Sequence, residues 1–221
     1  MNRKILNVSL YIWIAFALVS AIFVLFPQID LYVSSLFFDG TKFPFKKTWF
    51  EQLFFHSVRP MIITFSVISI AIFIYNFFMK KNILNINAKV LLYLILTLSI
   101  APGLIVNATL KDNWGRARPN ESVNFGGTKE FTPAFIPTNQ GGYSFSSGHA
   151  AAAFSLMGFV VLASKRRKMW MAIVLSYASA MSLVRIAAGG HFLSDTVTSF
   201  FIVYISTSIL YMLIFKKELN R

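Results

Sequence analysis

The sequence predicts an all-α, polytopic membrane protein: six transmembrane helices bundled in a single domain over residues 1–221. Three observations carry that expectation. Hydrophobic residues make up 56% of the chain and charged residues 13%, against roughly 25% charged in a soluble domain. Six apolar runs approach the ~20 residues that a helix needs to cross the hydrocarbon layer. Lysines and arginines also cluster in alternate connecting segments, as membrane topology favours.

The first run, Leu6–Phe26, follows Asn2-Arg3-Lys4. It is too long for a typical signal-peptide core and lacks a small-x-small cleavage site, so it reads as a span. Residues 27–60 read as an outer connecting segment with Phe43, Phe45, Trp49, Phe54 and Phe55 in the headgroup zone, which aromatic rings favour, and a lipid-resting amphipathic helix is expected within it. The second run is Met61–Met79 and the third Val90–Leu110. Pro102-Gly103 interrupts the third; proline removes a backbone donor and crowds the preceding turn, so a kink is expected there. The fourth and fifth runs, His149–Ser164 and Met169–Val184, are short and extend into the motifs beside them or cross a thinner bilayer. The sixth is Thr196–Phe215.

Orientation follows from the cations. Arg3 and Lys4, Lys80 and Lys81, Lys165 to Lys168, and Lys216, Lys217 and Arg221 all fall on one side, the cytoplasmic one. Both termini then lie inside, and segments 27–60, 111–148 and 185–195 face out. Lys42, Lys46, Lys47, Arg59 and Lys129 remain outside, so the bias is clear without being absolute. The formal net charge of +13 is scattered as short clusters between apolar runs, which argues against a nucleic-acid partner. The chain has no cysteine, so disulfides and thiolate metal sites are excluded.

Three polar clusters sit at span ends, all on the outer side. In the first, Lys111 and Arg118 flank a tight segment that stops at Pro119, with Arg116 between them. Arginine offers a planar fork that matches phosphate oxygens, and lysine adds a point charge; snorkelling to the interface is the simpler explanation for Lys111 alone. Arg116 is left facing lipid headgroups or Glu121. In the second, Ser146-Ser147-Gly148-His149 opens the fourth span. Helix-start N–H groups are unpaired and glycine permits close approach, so an anion can sit there. An N-cap serine with a packed histidine would explain the same residues. In the third, Arg185 ends the fifth span, Gly189-Gly190 allows a turn, and His191 and Asp195 stand four apart, on one face if helical. A carboxylate there can hold one ring nitrogen and leave the other free to attack.

Jointly, Lys111-x6-Arg118-Pro119, Ser147-Gly148-His149 and Arg185-x5-His191-x3-Asp195 resemble the three-part signature of the type 2 phosphatidic acid phosphatase superfamily. Two positions depart from it: Ser146 stands where proline is usual, and Val184 where serine is usual. Trp114-Gly115-Arg116, Phe125-Gly126-Gly127, Phe131-Thr132-Pro133 and the stretch Gly189 to Asp195 most resemble the bacterial lipid A phosphatases, the 4′ branch before the 1 branch. The resemblance implies an inner-membrane enzyme with its site on the periplasmic face. It assigns His191 as nucleophile, Asp195 as its orienting partner and His149 as general acid and base. Lys111, Arg118, Arg185, Ser147 and Gly148 hold the phosphate. The partner implied is a phosphorylated membrane lipid in the bilayer, with no obligate protein partner. No cofactor and no metal are expected, since three nearby cations would repel a dication. Undecaprenyl diphosphate and phosphatidylglycerol phosphate are alternative substrates with the same chemistry. A non-catalytic binder of anionic lipids would need the cations but not His191 with Asp195.

Overall fold

The computed structural model describes residues 4–163 and 165–219; Asn2, Arg3, Ser164 and Arg221 lie outside them. The chain is mostly helical. A small hairpin, β1 Lys4–Ile5 and β2 Val8–Ser9, leads into α1, Leu10–Leu25. Pro27 follows, and α2, Gln28–Ser35, leaves at 82° to α1. Helix α3, Trp49–Met79, is 31 residues long and begins well before Met61, because Thr48 caps it: the Thr48 hydroxyl accepts the Glu51 N–H at 3.2 Å. The helix expected within 27–60 is supplied by α2 and the start of α3. Not all the rings of that segment rest on lipid. Phe43 is buried against Phe125 and Phe192.

Helix α4, Ala88–Leu98, is capped by Asn87, which accepts the Val90 N–H at 3.0 Å. It runs on through Ser99–Lys111 in wide π-type turns to a last turn, α5, Asp112–Trp114, so that Ala88–Trp114 forms one span. Pro102 has no N–H to give to the α ladder. Widened turns absorb the gap where a kink was expected, and Asn107 Nδ2 donates to the Pro102 carbonyl at 2.6 Å. Helix α6, Gly148–Ser155, tightens into 3-10 turns over Leu156–Leu162. Helices α7, Arg167–Ala187, and α8, Leu193–Leu219, complete the bundle.

Helix α6 is the hub. It packs against α3, α7, α8 and the π stretch, and its run of alanines lets all four approach closely. Ala150, Ala151 and Ala153 are buried with Val106, Met181 and Val203 around them. Among the described residues four helices are long and apolar enough to cross a bilayer, which gives five spans if α1 and α2 count as one bent span. Gly148–Leu162 is apolar but shorter.

Candidate active site

All three clusters meet above the N-terminal end of α6. Ser147 caps that helix, its hydroxyl accepting the Ala150 N–H at 3.4 Å while its own O–H proton remains to be donated. Ser199 of α8 donates to the Ser147 carbonyl at 3.0 Å, which ties the two helix starts together. At Gly148 an added Cβ would stand 2.6 Å from Asn107 Oδ1, so glycine is what lets α6 meet the π stretch.

His191 does not share a helical face with Asp195. It lies in the turn before α8, and Asp195 sits in the first turn of that helix. The His191 ring is buried, and its Nδ1 is 2.8 Å from the Ser144 carbonyl oxygen. A carbonyl can only accept, so Nδ1 carries the proton and Nε2 keeps its lone pair. Asp195 Oδ2 is 3.7 Å from the same Nδ1. It acts on the ring at one remove, by accepting from the Ser144 hydroxyl at 2.6 Å and from the Phe192 N–H at 2.8 Å. Burial holds the His191 imidazole below its ordinary value, at about 4, with Asp195 pulling the other way and Arg185 and Arg118 reinforcing burial. The ring is neutral at neutral pH.

The cations converge from the other side. His149 lies within electrostatic reach of Arg185, His191, Lys111 and Arg118 together. Arg118 and Arg185 line one cavity of about 340 Å³ together with Gly190, Lys46, Lys47 and Glu51. A Cβ on Gly190 would collide with the Arg185 guanidinium, so the turn before His191 and that side chain are packed directly together. The Nε–H groups of Arg118 and Arg185 are buried and have no hydrogen-bond partner among the described residues. Buried donors are nearly always paired. Two unpaired guanidinium donors in one polar cavity are what an anion would complete. No group of three or more His, Cys, Asp or Glu side chains able to hold a metal occurs among the described residues.

A profile of the PAP2 superfamily matches residues 88–219. The chain belongs to the PAP2 superfamily. It is 33% identical over 202 residues to a lipid A 4′-phosphatase of Francisella tularensis subsp. novicida (strain U112), covering 89% of this chain and 90% of that protein. It is 29% identical over 209 residues to a lipid A 4′-phosphatase of Rhizobium leguminosarum, covering 85% and 88%. A Rhizobium etli protein of the same name is 29% identical, covering 84% and 79%. No solved structure matches the chain.

Around the PAP2 motifs the structure adds residues that motif reading passed over. Arg116 faces neither headgroups nor Glu121. It is fully buried, bonding Asp195 at 2.6 Å and Asp30 of α2 at 2.8 Å. Glu51, in the first turn of α3, pairs with Arg185 at 2.7 Å, both nearly buried. Phe55, one turn further on, places its ring 4.2 Å from His149 and 4.9 Å from the Arg185 guanidinium. Each lies outside the three motifs or at a variable place within one. A signal for the carboxylates was present all the same: the chain has only 8 acidic residues against 21 Lys and Arg, so a carboxylate beside an apolar run has a cation to answer.

Glu51→Ala tests the Arg185 pair. Removing one partner of a buried ion pair leaves the other charge uncompensated, so stability should fall by about 3 kcal/mol. A lower melting temperature in detergent is the readout. An unchanged one would mean that Arg185 finds water or another acceptor at no cost.

Proposed function

We propose that this protein is a lipid A phosphatase that removes the 4′-phosphate monoester at the periplasmic face of a bacterial inner membrane. One arrangement carries the reading: His191, whose Nδ1 is committed to the Ser144 carbonyl so that Nε2 keeps its lone pair, directly follows Gly190, which lines a cavity with two arginines whose buried Nε–H donors are unpaired. The relatives named for that reaction support the choice of lipid A and of its 4′ position. Six crossings are the count we favour: the four long helices, the bent α1–α2 pair, and α6 with its 3-10 extension as a short sixth. An even number puts both termini on one side, and the lysine and arginine bias makes that side the cytoplasm and the side of the three motifs the periplasm.

The chemistry runs in two steps. His191 Nε2 gives its lone pair to phosphorus, forming a P–N bond as the P–O bond to the sugar breaks. His149, charged by a proton taken up together with the phosphate dianion, gives that proton to the departing sugar oxygen. Water then attacks the phosphohistidine, His149 takes one of its protons, and inorganic phosphate leaves with His191 restored. Lys111, Arg118 and Arg185 hold the equatorial oxygens, where charge gathers in the transition state, with Ser147 O–H and the Gly148 N–H as further donors. Asp195 holds Ser144 and the turn, and through them the ring. The reaction uses no cofactor and no metal.

Mass spectrometry of lipid A after expression tests this. The expected product has lost one HPO3 unit from the 4′ sugar, located by fragmentation, and His149→Ala leaves the lipid intact. Loss from the 1 position would correct the regiochemistry. Intact lipid A beside phosphate release from undecaprenyl diphosphate or phosphatidylglycerol phosphate would replace the substrate.

A further inference from the structure

We propose that Arg116 and Asp30 are positioning residues for this transfer: Asp30 holds Arg116, Arg116 holds Asp195, and Asp195 with Ser144 keeps the His191 ring in the form that presents Nε2. The inference rests on the phosphohistidine reading above but adds residues that the three motifs leave without a role.

Four of the five Arg116 N–H groups have named acceptors. The Arg116 guanidinium donates from Nη1 to Asp195 Oδ1 at 2.6 Å and to Ser194 Oγ at 2.9 Å. It donates from Nη2 to Asp30 Oδ2 at 2.8 Å, and from Nε to the Thr132 carbonyl at 2.9 Å. Its flat face lies 4.5 Å from the Phe192 ring centroid. Asp30 in turn accepts the Ser194 N–H at 2.9 Å, and the Ser194 hydroxyl as well, so it closes the open N-terminus of α8 from a different helix. Arg116, Asp30 and Asp195 are all fully buried. Asp30 belongs to α2, outside the 88–219 stretch that matches the superfamily. The 82° break after α1 is what lays α2 across the start of α8.

Stability alone does not explain such a cluster. Well-packed apolar side chains of similar volume generally do as well as a buried ion pair, or better. What apolar side chains cannot do is fix the direction and charge of Asp195. Both Asp195 oxygens are engaged, one by Arg116 and the other by Ser144 and Phe192 N–H. With its charge shared by a guanidinium, Asp195 orients His191 without drawing a proton onto it. His191 faces Asp195 from α8, Arg185 from α7, Arg118 from the loop after α5, and His149 from α6. Of these Asp195 alone is negative, so the balance on the ring depends on what neutralises Asp195.

Arg116→Gln should therefore move the acid limb of the kcat/KM profile up by about one pH unit as Asp195 favours the imidazolium. It should lower kcat while leaving KM within about twofold, because uniform binding is untouched. Arg118→Ala, which removes a proposed phosphate contact, should instead raise KM. Arg116→Lys keeps the charge and should retain the wild-type limb with a reduced kcat. The double change Asp30→Asn with Arg116→Gln removes both buried charges in near-isosteric form, and it guards against simple misfolding of the single variant. Nitrogen-15 NMR of the histidine rings in detergent micelles, with the His191 signal identified by His191→Gln, reads the tautomer and its titration without any turnover. An Nδ1-protonated ring whose titration moves up in Arg116→Gln or in the double variant supports the proposal. An unmoved titration in folded variants, or a KM rise equal to that of Arg118→Ala, overturns it. A wild-type protein with the predicted tautomer but no phosphohistidine would overturn the proposed function and leave the positioning network standing.

Discussion

His191→Gln is expected to lower kcat on lipid A by about 10⁴-fold or more, in line with the loss of an enzymatic nucleophile. Glutamine fills the space and can donate to the Ser144 carbonyl that His191 Nδ1 reaches at 2.8 Å. What it lacks is a second nitrogen with a lone pair. Binding should survive, because Lys111, Arg118 and Arg185 are untouched. The deciding measurement is an alkaline-quenched reaction with labelled substrate, since phosphohistidine resists base and hydrolyses in acid. Label should remain on the wild-type protein and be absent from the variant. Turnover within tenfold of wild type, or label persisting without His191, would remove this residue from the chemistry and point to direct attack by water.

The three motifs were legible because each is a short run in sequence, and a phosphate cradle needs cations and N–H groups at fixed spacing. Their convergence was legible too, because alternate connecting segments fall on one side of a membrane. The supports for those residues could not be read in this way. Asp30, Glu51 and Ser144 reach the site through tertiary packing, and no local spacing announces which cation each answers. The aromatic content of residues 27–60 points to a lipid-resting amphipathic helix, and α2 and the start of α3 are helical. The lipid-resting part fails where Phe43 turns inward and where Glu51 and Phe55 of α3 reach Arg185 and His149. The short fourth run was recognised as apolar. Its role as the packing hub depends on alanines, whose small size matters only when neighbours are present. Asp195 shows the same division: its place in the motif was evident, while its action through Ser144 and across 3.7 Å, rather than through a direct hydrogen bond to the ring, required coordinates.

His149→Ala gives the second large effect, and its size should depend on the leaving group. A positioned acid or base contributes about 10²–10⁴-fold, so kcat on lipid A should fall by that order. The sugar alkoxide departs poorly without a proton. An aryl phosphate needs no such help, because its phenolate is stable in water. With an aryl phosphate the first step in His149→Ala should thus run at close to the wild-type rate. The second step still needs a base to take the proton from water, so the variant should stall there. The expected signature is a burst of one phenolate per active site, followed by slow turnover with phosphohistidine accumulated. The geometry makes this a fair test of chemistry rather than of packing: the His149 ring is half-buried and lies tilted against Phe55, with centroids 4.2 Å apart. Equal losses on both substrates with no burst would mean that His149 shapes the cavity and moves no proton, and the acid for lipid A would then have to be sought among Lys111, Ser147 and solvent.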